Sequence, residues 1–394
     1  MRWLVGPMIV LLPHVGMAAQ LSGFYKSFSV AFDSPQVNDS VTGMMSNRLR
    51  LNLADSFSEH MSFDLAYDFI LRIQDPSLFE NQAEVVTVDP LDYRVADLSS
   101  PIYPGDNDPI GSVGVFQNLD RANVTARLSF ADVIVGRQAI AWGSARVINP
   151  TDVIAPFTYS ELDTEDRTGV DAVRVRVPIG ALGEFDAGYV FGRDFAADLS
   201  AFFVRSQFNA AETDLSPLLI RFREQLLVGI DVARGIGRIG AWIEGVRVFT
   251  MERAEISDYF RVSTGMDYSF GGETYGFIEY HFNGAGVRDP EDYVSNLDRP
   301  AYRDAAVYLM GTHYFALGTT HLLTPLVALS GQFLANVADP SFFFAPAIEY
   351  NIAQDIYLSS GAFIGIGDRP KSEHFQSEFG GYSNILFFSF RIYY

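Results

Sequence analysis

Residues 383–394 read SNILFFSFRIYY, an unbroken apolar and aromatic run at the end of the chain. Taken at every second position, the run separates. Leu386, Phe388, Phe390, Ile392 and Tyr394 fall on one face; Phe387, Ser389, Arg391 and Tyr393 fall on the other. A period of two makes the segment a strand, greasy on one side and mixed on the other. A soluble sandwich could end in the same way, so the run has to be read with the rest of the chain.

The alternation recurs from Gln20 onward. RLRLNLA sets Leu49, Leu51 and Leu53 against Arg48, Arg50 and Asn52, and MSFDLAYDF sets Met61, Phe63, Leu65, Tyr67 and Phe69 against Asp64 and Asp68. The segments DRANVTARLSF (120–130) and RVSTGMDYSF (261–270) behave alike, and no helical period of comparable length competes. Links alternate in length as well. Ala131-Asp132, 235–238, 271–273 and 353–355 are tight, whereas 33–42, 74–118, 142–168, 283–302 and 367–382 are long and acidic. Short links on one rim and long loops on the other are the pattern of an outer-membrane barrel. The count comes to about 18 strands, from 20–32 to 382–394, with 303–315 and 321–334 among them. It falls to 16 if residues 209–234 hold one strand and an inward loop. An even number returns both termini to one side, as single-chain bacterial barrels require.

Bulk properties agree. The 394 residues include no cysteine, which removes disulfide frameworks and thiolate metal sites. A net charge of −20 argues against a nucleic-acid partner. The 33 Phe, 19 Tyr and 33 Gly suit strands and tight turns. Residues 1–19 read as a cleaved secretory signal: Arg2, an apolar stretch from Trp3 to Leu12, then a small-residue site at Gly16-Met17-Ala18. Residues 20–394 then form one domain.

A soluble sheet hides its greasy face against a second layer. Here almost every strand pairs an apolar, aromatic face with a charged one, which in a closed barrel means lipid outside and water inside. The expected fold is therefore an all-β, antiparallel, up-and-down transmembrane barrel with short periplasmic turns and long acidic extracellular loops. Closure removes the unpaired edges that lipid cannot tolerate. The terminal strand, with Phe388, Phe390, Ile392 and Tyr394 facing lipid, resembles the signal read by the barrel-assembly machinery of Gram-negative bacteria.

The opposite faces then name the lumen wall. Its expected basic members are Arg48, Arg50, Arg121, Arg127, Arg174, Arg176, Arg205, Arg221, Arg261 and Arg391; its acids are Asp64, Asp68, Asp186, Asp231, Asp267 and Glu279. Loop 74–118 carries eight acids, including Asp75, Asp97 and Asp108, against Arg94 alone. Folded inward, it would face the wall arginines and orient small polar solutes between opposite charges. Two blander readings stand beside this one. In one, Arg48 and Arg50 simply satisfy Asp64 and Asp68; in the other, the loop caps the barrel and binds cations bridging lipopolysaccharide.

Residues 135–173 carry Gly136-Arg137-Gln138, Trp142-Gly143, Asn149-Pro150-Thr151-Asp152 and Gly169-Val170-Asp171. This segment resembles one found in a set of porin-like outer-membrane barrels of Gram-negative bacteria, largely of unknown function. The resemblance supports the barrel and supplies no substrate. From the residues themselves, Trp142 suits an interfacial ring, 149–152 a turn, and Arg137 an inward cation pairing with Glu161, Asp163, Glu165 or Asp166 to hold the loop in the lumen.

Enzyme chemistry finds little support. Glu279 and His281 share a strand face, where a carboxylate could orient an imidazole, but no Ser follows at the spacing of outer-membrane phospholipases. ELDTEDRTG lacks the ligand order of a calcium loop, and no cofactor is expected. The sequence thus points to passive diffusion of small polar solutes through the outer membrane, by a barrel in contact with membrane lipid and lipopolysaccharide. Rival readings are a conduit for hydrophobic or lipid-like molecules and a sheath around a periplasmic partner. Oligomeric state, including a homo-oligomer, stays open.

Overall fold

The computed structural model describes residues 19–33, 41–76, 93–98, 101–105, 111–251, 258–304, 307–371 and 374–394. All but Ala19 of the expected signal lies outside them. The first six strands are Gln20–Asp33 (β1), Val41–Ser58 (β2), Met61–Gln74 (β3), Val113–Arg127 (β4), Asp132–Gln138 (β5) and Val170–Ile179 (β6). Next come Gly183–Val190 (β7), Ala201–Ala210 (β8), Thr213–Phe222 (β9), Gln225–Ile236 (β10), Ile239–Thr250 (β11) and Tyr259–Phe270 (β12). The last are Thr274–Asn283 (β13), His313–Thr324 (β14), Val327–Asn336 (β15), Ser341–Ala353 (β16), Ile356–Ile366 (β17) and Ile385–Tyr393 (β18).

Each strand pairs antiparallel with its sequence neighbour, and β1 pairs with β18, so the 18-stranded sheet closes on itself. One rim is made of tight turns. Ala211 and Glu212 there adopt φ of 51° and 61°, the left-handed pair that a two-residue hairpin turn matches to strand twist. The other rim carries the long segments, and both ends of the barrel domain lie at the tight-turn rim, the one such barrels direct to the periplasm.

The outward row is aliphatic and aromatic. Leu49, Leu51, Leu65, Phe69, Val228, Ile243, Ile278 and Leu317 are all exposed, as a surface solvated by lipid requires.

Several expectations change. The 16-strand alternative falls, because β9 and β10 are separate strands joined only by Arg223-Glu224. The strand expected over 303–315 is not one. Tyr293–Asn296 (α1) and Pro300–Asp304 (α2) are short helices, β14 begins at His313, and β15 begins at Val327 rather than near 321. Ala301, Tyr302, Val307 and Leu309 are greasy because they are buried in the barrel mouth, not because they face lipid. Loop 74–118 ends early, since Val113 already opens β4.

The inner face is not uniformly charged. Phe203, Leu218, Ile220, Phe222, Val246 and Val248 form one buried apolar cluster, and Tyr314, Leu334, Phe343, Phe363 and Phe387 belong to another. Both receive side chains from residues 139–169, the loop between β5 and β6, so apolar walls mark where that loop packs.

Candidate functional site: a loop pinned across the lumen

Loop 139–169 leaves β5 through two glycines in the left-handed region. Gly136 has φ of 114° and Gly143 of 108°. A Cβ on Gly143 would lie 2.4 Å from Asn149 Oδ1 and 2.8 Å from Glu244 Oε2, so only glycine lets the chain turn inward there. Trp142 follows the turn. It is buried with its ring edge-on to Phe203 at 4.7 Å, inside the barrel rather than at the membrane interface expected for it.

Wall carboxylates then hold the loop by its backbone. Glu244 on β11 accepts from the Ser144 and Ala145 amides at 3.2 Å, the Thr151 amide at 2.7 Å and the Thr151 hydroxyl at 2.6 Å. Glu279 on β13 accepts from the amides of Arg146 (2.7 Å), Val147 (3.2 Å) and Ile148 (3.1 Å). Asp267 binds the Arg146 guanidinium at 2.6 Å, and Asp231 receives the Ser144 hydroxyl. Buried amides need acceptors, and charged ones bind most strongly.

The far part of the loop reaches the opposite wall. Lys26 on β1, wholly buried, lies 3.0 Å from Asp163, 2.7 Å from Glu165 and 3.7 Å from Asp166. Arg391 on β18 binds Glu165 and Glu349, and the Tyr393 hydroxyl donates to Glu165 at 2.5 Å. Burial alone would raise the Glu165 carboxyl; the bonds from Lys26 and Tyr393, with the charges of Lys26 and Arg391, hold it below the ordinary range. Tyr159 packs its ring 5.0 Å from Phe343 and 5.9 Å from Phe379. The loop is therefore anchored at both sides of the lumen.

A dense ion network fills the sector between β1 and β6. Arg48 binds Asp68 at 2.8 Å and Arg50 binds Asp120 at 2.8 Å. Asp120 also receives Arg121 at 2.5 Å, Arg94 at 3.3 Å and the Gly169 amide at 3.0 Å. A bulge places Asp120 there: Ala66 opposes Arg121 and Tyr67 opposes Leu119, so Asp120 is extra and turns inward beside Arg121. Below this network, Arg50, Asp64, Arg121 and Asp166 line an open hollow of about 310 Å³.

The remaining expected wall residues sort as follows. Arg174 pairs with Asp186 at 2.6 Å and Arg176 with Glu184 at 2.5 Å. Arg205 donates to Gln207 and Ser216, both at 3.1 Å. Arg127 is exposed at the tight-turn end of β4, and Arg261 is buried under the loop. Arg221 does not line the lumen. Ser216, Leu218, Ile220 and Phe222 take the inward positions of β9, so Arg221 points outward near the long-loop rim, where its guanidinium reaches Met251 Sδ at 3.1 Å. Arg137 bonds Asp171 at 2.8 Å rather than the four expected loop acids. Of those acids, Asp163, Glu165 and Asp166 go to Lys26, and Glu161 accepts from Thr158 within the loop.

Glu279 is spent on the loop amides and does not orient His281, whose Nδ1 lies 2.8 Å from Ser263 Oγ. Of the acidic loop after β3, residues 93–98 are inside: Tyr93 is buried, Arg94 donates to the Gly169 carbonyl at 2.8 Å, and Arg137 donates to the Ala96 carbonyl at 2.7 Å. Glu80, Glu84, Asp89, Asp92, Asp106 and Asp108 lie outside the described residues.

No family model matches the sequence, and no curated protein is similar to it by sequence. Solved structures are similar in fold. Acinetobacter baumannii OccAB2 aligns over 95% of this chain and 98% of its own, with a TM-score of 0.60 at 8% identity. Pseudomonas aeruginosa OccK2 (OpdF) in complex with glucuronate aligns over 95% and 98%, with a TM-score of 0.55 at 13% identity. The fold is that of an outer-membrane porin. Within this porin fold, the motif residues Gly136, Gly143, Thr151, Asp152 and Gly169 serve the inward loop, whereas Arg137 and Asp171 bind each other and hold Val95 and Ala96 of the loop after β3. Asp152 binds Arg167, and burial lifts its carboxyl to about 6 against the pull of that guanidinium.

Lys26, Asp120 and Glu244 escaped the sequence reading. Lys26 shares its inward row with Phe24, Phe28, Val30 and Phe32, which alternation assigns to lipid. Asp120 needs a bulge that no pattern announces. Glu244 did carry a signal, standing opposite Ile243 and Gly245 on a strand already recognised.

Proposed function

We propose that this barrel is an outer-membrane channel for passive diffusion of small polar solutes, narrowed by loop 139–169 and biased toward anions by the cations of β1, β2 and β4. The observation that carries the reading is the double anchoring of the loop, with Glu244 and Glu279 on one wall and Lys26 on the other. A loop so held constricts a lumen and leaves charged groups at its edge, which is how such pores select. OccK2, similar in fold, has been crystallised with glucuronate, a small polar acid of this class. The apolar inner walls do not favour a hydrophobic conduit, because Val147, Ile148, Tyr159 and Leu162 of the chain itself cover part of them. A partner threaded through the lumen would have to displace the same loop.

The reading also keeps residues 1–19 as an export signal and Phe388, Phe390, Ile392 and Tyr394 as the face read during assembly. Phe388, Phe390 and Ile392 lie on the lipid side of β18, and Tyr394 directly follows the strand.

The test is single-channel conductance of the refolded barrel in a planar bilayer, with reversal potential across a salt gradient. Discrete openings with an anion-selective reversal potential are expected. Arg48→Gln, which alters a partly exposed luminal cation, should shift the potential toward cations. A folded but silent barrel would overturn the channel.

A further inference from the structure

The lipid-facing wall is grooved. Five strands, β12 to β16, place one outward residue each in a single register row: Tyr268 opposite Gly276, Gly276 opposite Thr319, Thr319 opposite Gly331, and Gly331 opposite Pro346. Four of these are small or flat, while the rows on either side are large. Leu317 and Phe333 stand above and Phe270 and Leu329 below, and together they enclose an apolar groove of about 770 Å³.

Packing does not demand the hollow. A Cβ on Gly331 would meet nothing nearer than Phe344 at 3.9 Å, and one on Gly276 nothing nearer than Phe270 at 3.6 Å. The floor also has no polar demand of its own, because the Thr319 hydroxyl donates to the Tyr275 carbonyl at 3.0 Å. Four strand spacings make the groove about 19 Å long, comparable to an extended acyl chain. It is oblique. Gly276 lies near the start of β13 at the tight-turn rim, whereas Pro346 lies well inside β16, so the groove climbs from the membrane surface into the hydrocarbon.

A cation stands at its lower end. Ile239 pairs with Tyr268 at the foot of the row, and Arg238 precedes it in an exposed turn. The Arg238 guanidinium lies 5.1 Å from the Tyr268 ring and donates to the Ser269 carbonyl at 2.9 Å. It has no ion pair among the described residues, in a chain of net charge −20.

We infer that this groove is a binding site for one anionic glycerophospholipid of the periplasmic leaflet, its phosphate on Arg238 and one acyl chain along the Gly276–Pro346 floor. An apolar groove one chain wide, entered at the headgroup level beside an unpaired guanidinium, fits an acidic amphiphile. A second copy of the barrel would offer the same convex wall rather than a chain that can follow the groove. The inference needs only that the barrel sits in a bilayer and is independent of what crosses the lumen.

Native mass spectrometry of the detergent-released full-length barrel, titrated with phosphatidylglycerol or phosphatidylcholine, tests it. The wild type is expected to bind phosphatidylglycerol more tightly. Arg238→Gln, on an exposed turn where folding is not at stake, should weaken phosphatidylglycerol about five-fold and leave phosphatidylcholine unchanged. Gly331→Leu, filling the floor and displacing about two methylenes, should weaken both lipids roughly ten-fold or more. Equal binding by wild type and Gly331→Leu overturns the site, as does indifference of both lipids to Arg238→Gln. A dimer that Gly331→Leu abolishes would assign the groove to a second copy and overturn the proposal too.

Discussion

Lys26 is a buried ammonium on an otherwise apolar inner row, 4.3 Å from the Phe24 ring centre and bound to three carboxylates of loop 139–169. Removing one partner from a buried ion cluster leaves the others uncompensated, which costs about 3 kcal/mol. Lys26→Met should therefore set Asp163, Glu165 and Asp166 against one another, with Arg48 left beside Asp163 and Arg391 beside Glu165. Single-channel records of this variant are expected to show larger, noisier openings than the wild type. Identical conductance would mean that the acidic run does not depend on Lys26 for its place. Asp120 illustrates the same economy at a second residue. One bulge brings it to Arg50, Arg94 and Arg121 together, so a single carboxylate joins the wall, the loop after β3 and the start of β6.

At the scale of elements, the caps over the barrel mouth meet at Glu378, between β17 and β18. Its carboxylate receives Tyr314 Oη at 2.5 Å, the Met310 amide at 2.9 Å and Asn336 Nδ2 at 2.7 Å. Asp339 is next to it, bound to the Glu378 amide at 3.0 Å and the Tyr293 hydroxyl at 2.6 Å. Burial lifts Glu378 from 4.5 to about 7, Asp339 adding to the rise and the three donors opposing it. A carboxyl whose folded value is raised holds a proton that the unfolded chain has lost. Its stabilisation is complete below pH 4.5 and is lost as pH rises to about 7. The Glu378 carboxyl should accordingly contribute roughly 2 kcal/mol more to stability at pH 5 than at pH 8, read in the thermal unfolding midpoints in detergent at the two pH values. Glu378→Gln should remove that contribution, so that moving from pH 8 to pH 5 raises its midpoint less, or lowers it more, than in the wild type. If wild type and Glu378→Gln respond alike to the change of pH, the buried cluster is not protonated as described.

Elements were legible wherever lipid and water faced the same strand. Leu49, Leu51 and Leu65 against Arg48, Arg50 and Asp64 obey a strict period of two, and β2, β3, β11, β12 and β13 fall where that alternation places them. The reading failed where the chain covers its own inner wall. On β1 the inward row is apolar apart from Lys26 and the outward row holds Ser27 and Ser29, so polarity no longer reports direction. On β9 the same reversal leaves Arg221 outside. Val307 and Leu309 looked like a strand because a segment buried in the mouth and a strand facing lipid are greasy alike. The loop's inward course could be anticipated in outline, but the wall residues that hold it depend on cross-barrel distances that no local pattern encodes.

The whole molecule depends on a closure made by its last strand. Nine residue pairs join β1 to β18, and Gly23 and Tyr394 then exchange both backbone hydrogen bonds, at 2.9 and 3.0 Å. Without that seam, β1 and β17 would each present an open edge to lipid, where an unpaired amide costs several kcal/mol. Closure and recognition can be separated at Tyr394. Its ring is exposed at the rim, and its hydroxyl donates to the Arg50 carbonyl at 3.0 Å. Tyr394→Ala keeps every backbone pair and removes only the ring, at a structural cost of about 1 kcal/mol for the lost hydrogen bond. Refolding into micelles should therefore proceed nearly as in the wild type, with the same resistance of the folded form to heat. In cells, by contrast, the variant is expected to reach the outer membrane in clearly reduced amount, because the face that offers Phe388, Phe390, Ile392 and Tyr394 has lost its terminal aromatic. Equal export of the two proteins would confine the terminal ring to a structural part in the seam; equal loss in micelles and in cells would show that the seam itself, rather than its recognition, needs Tyr394.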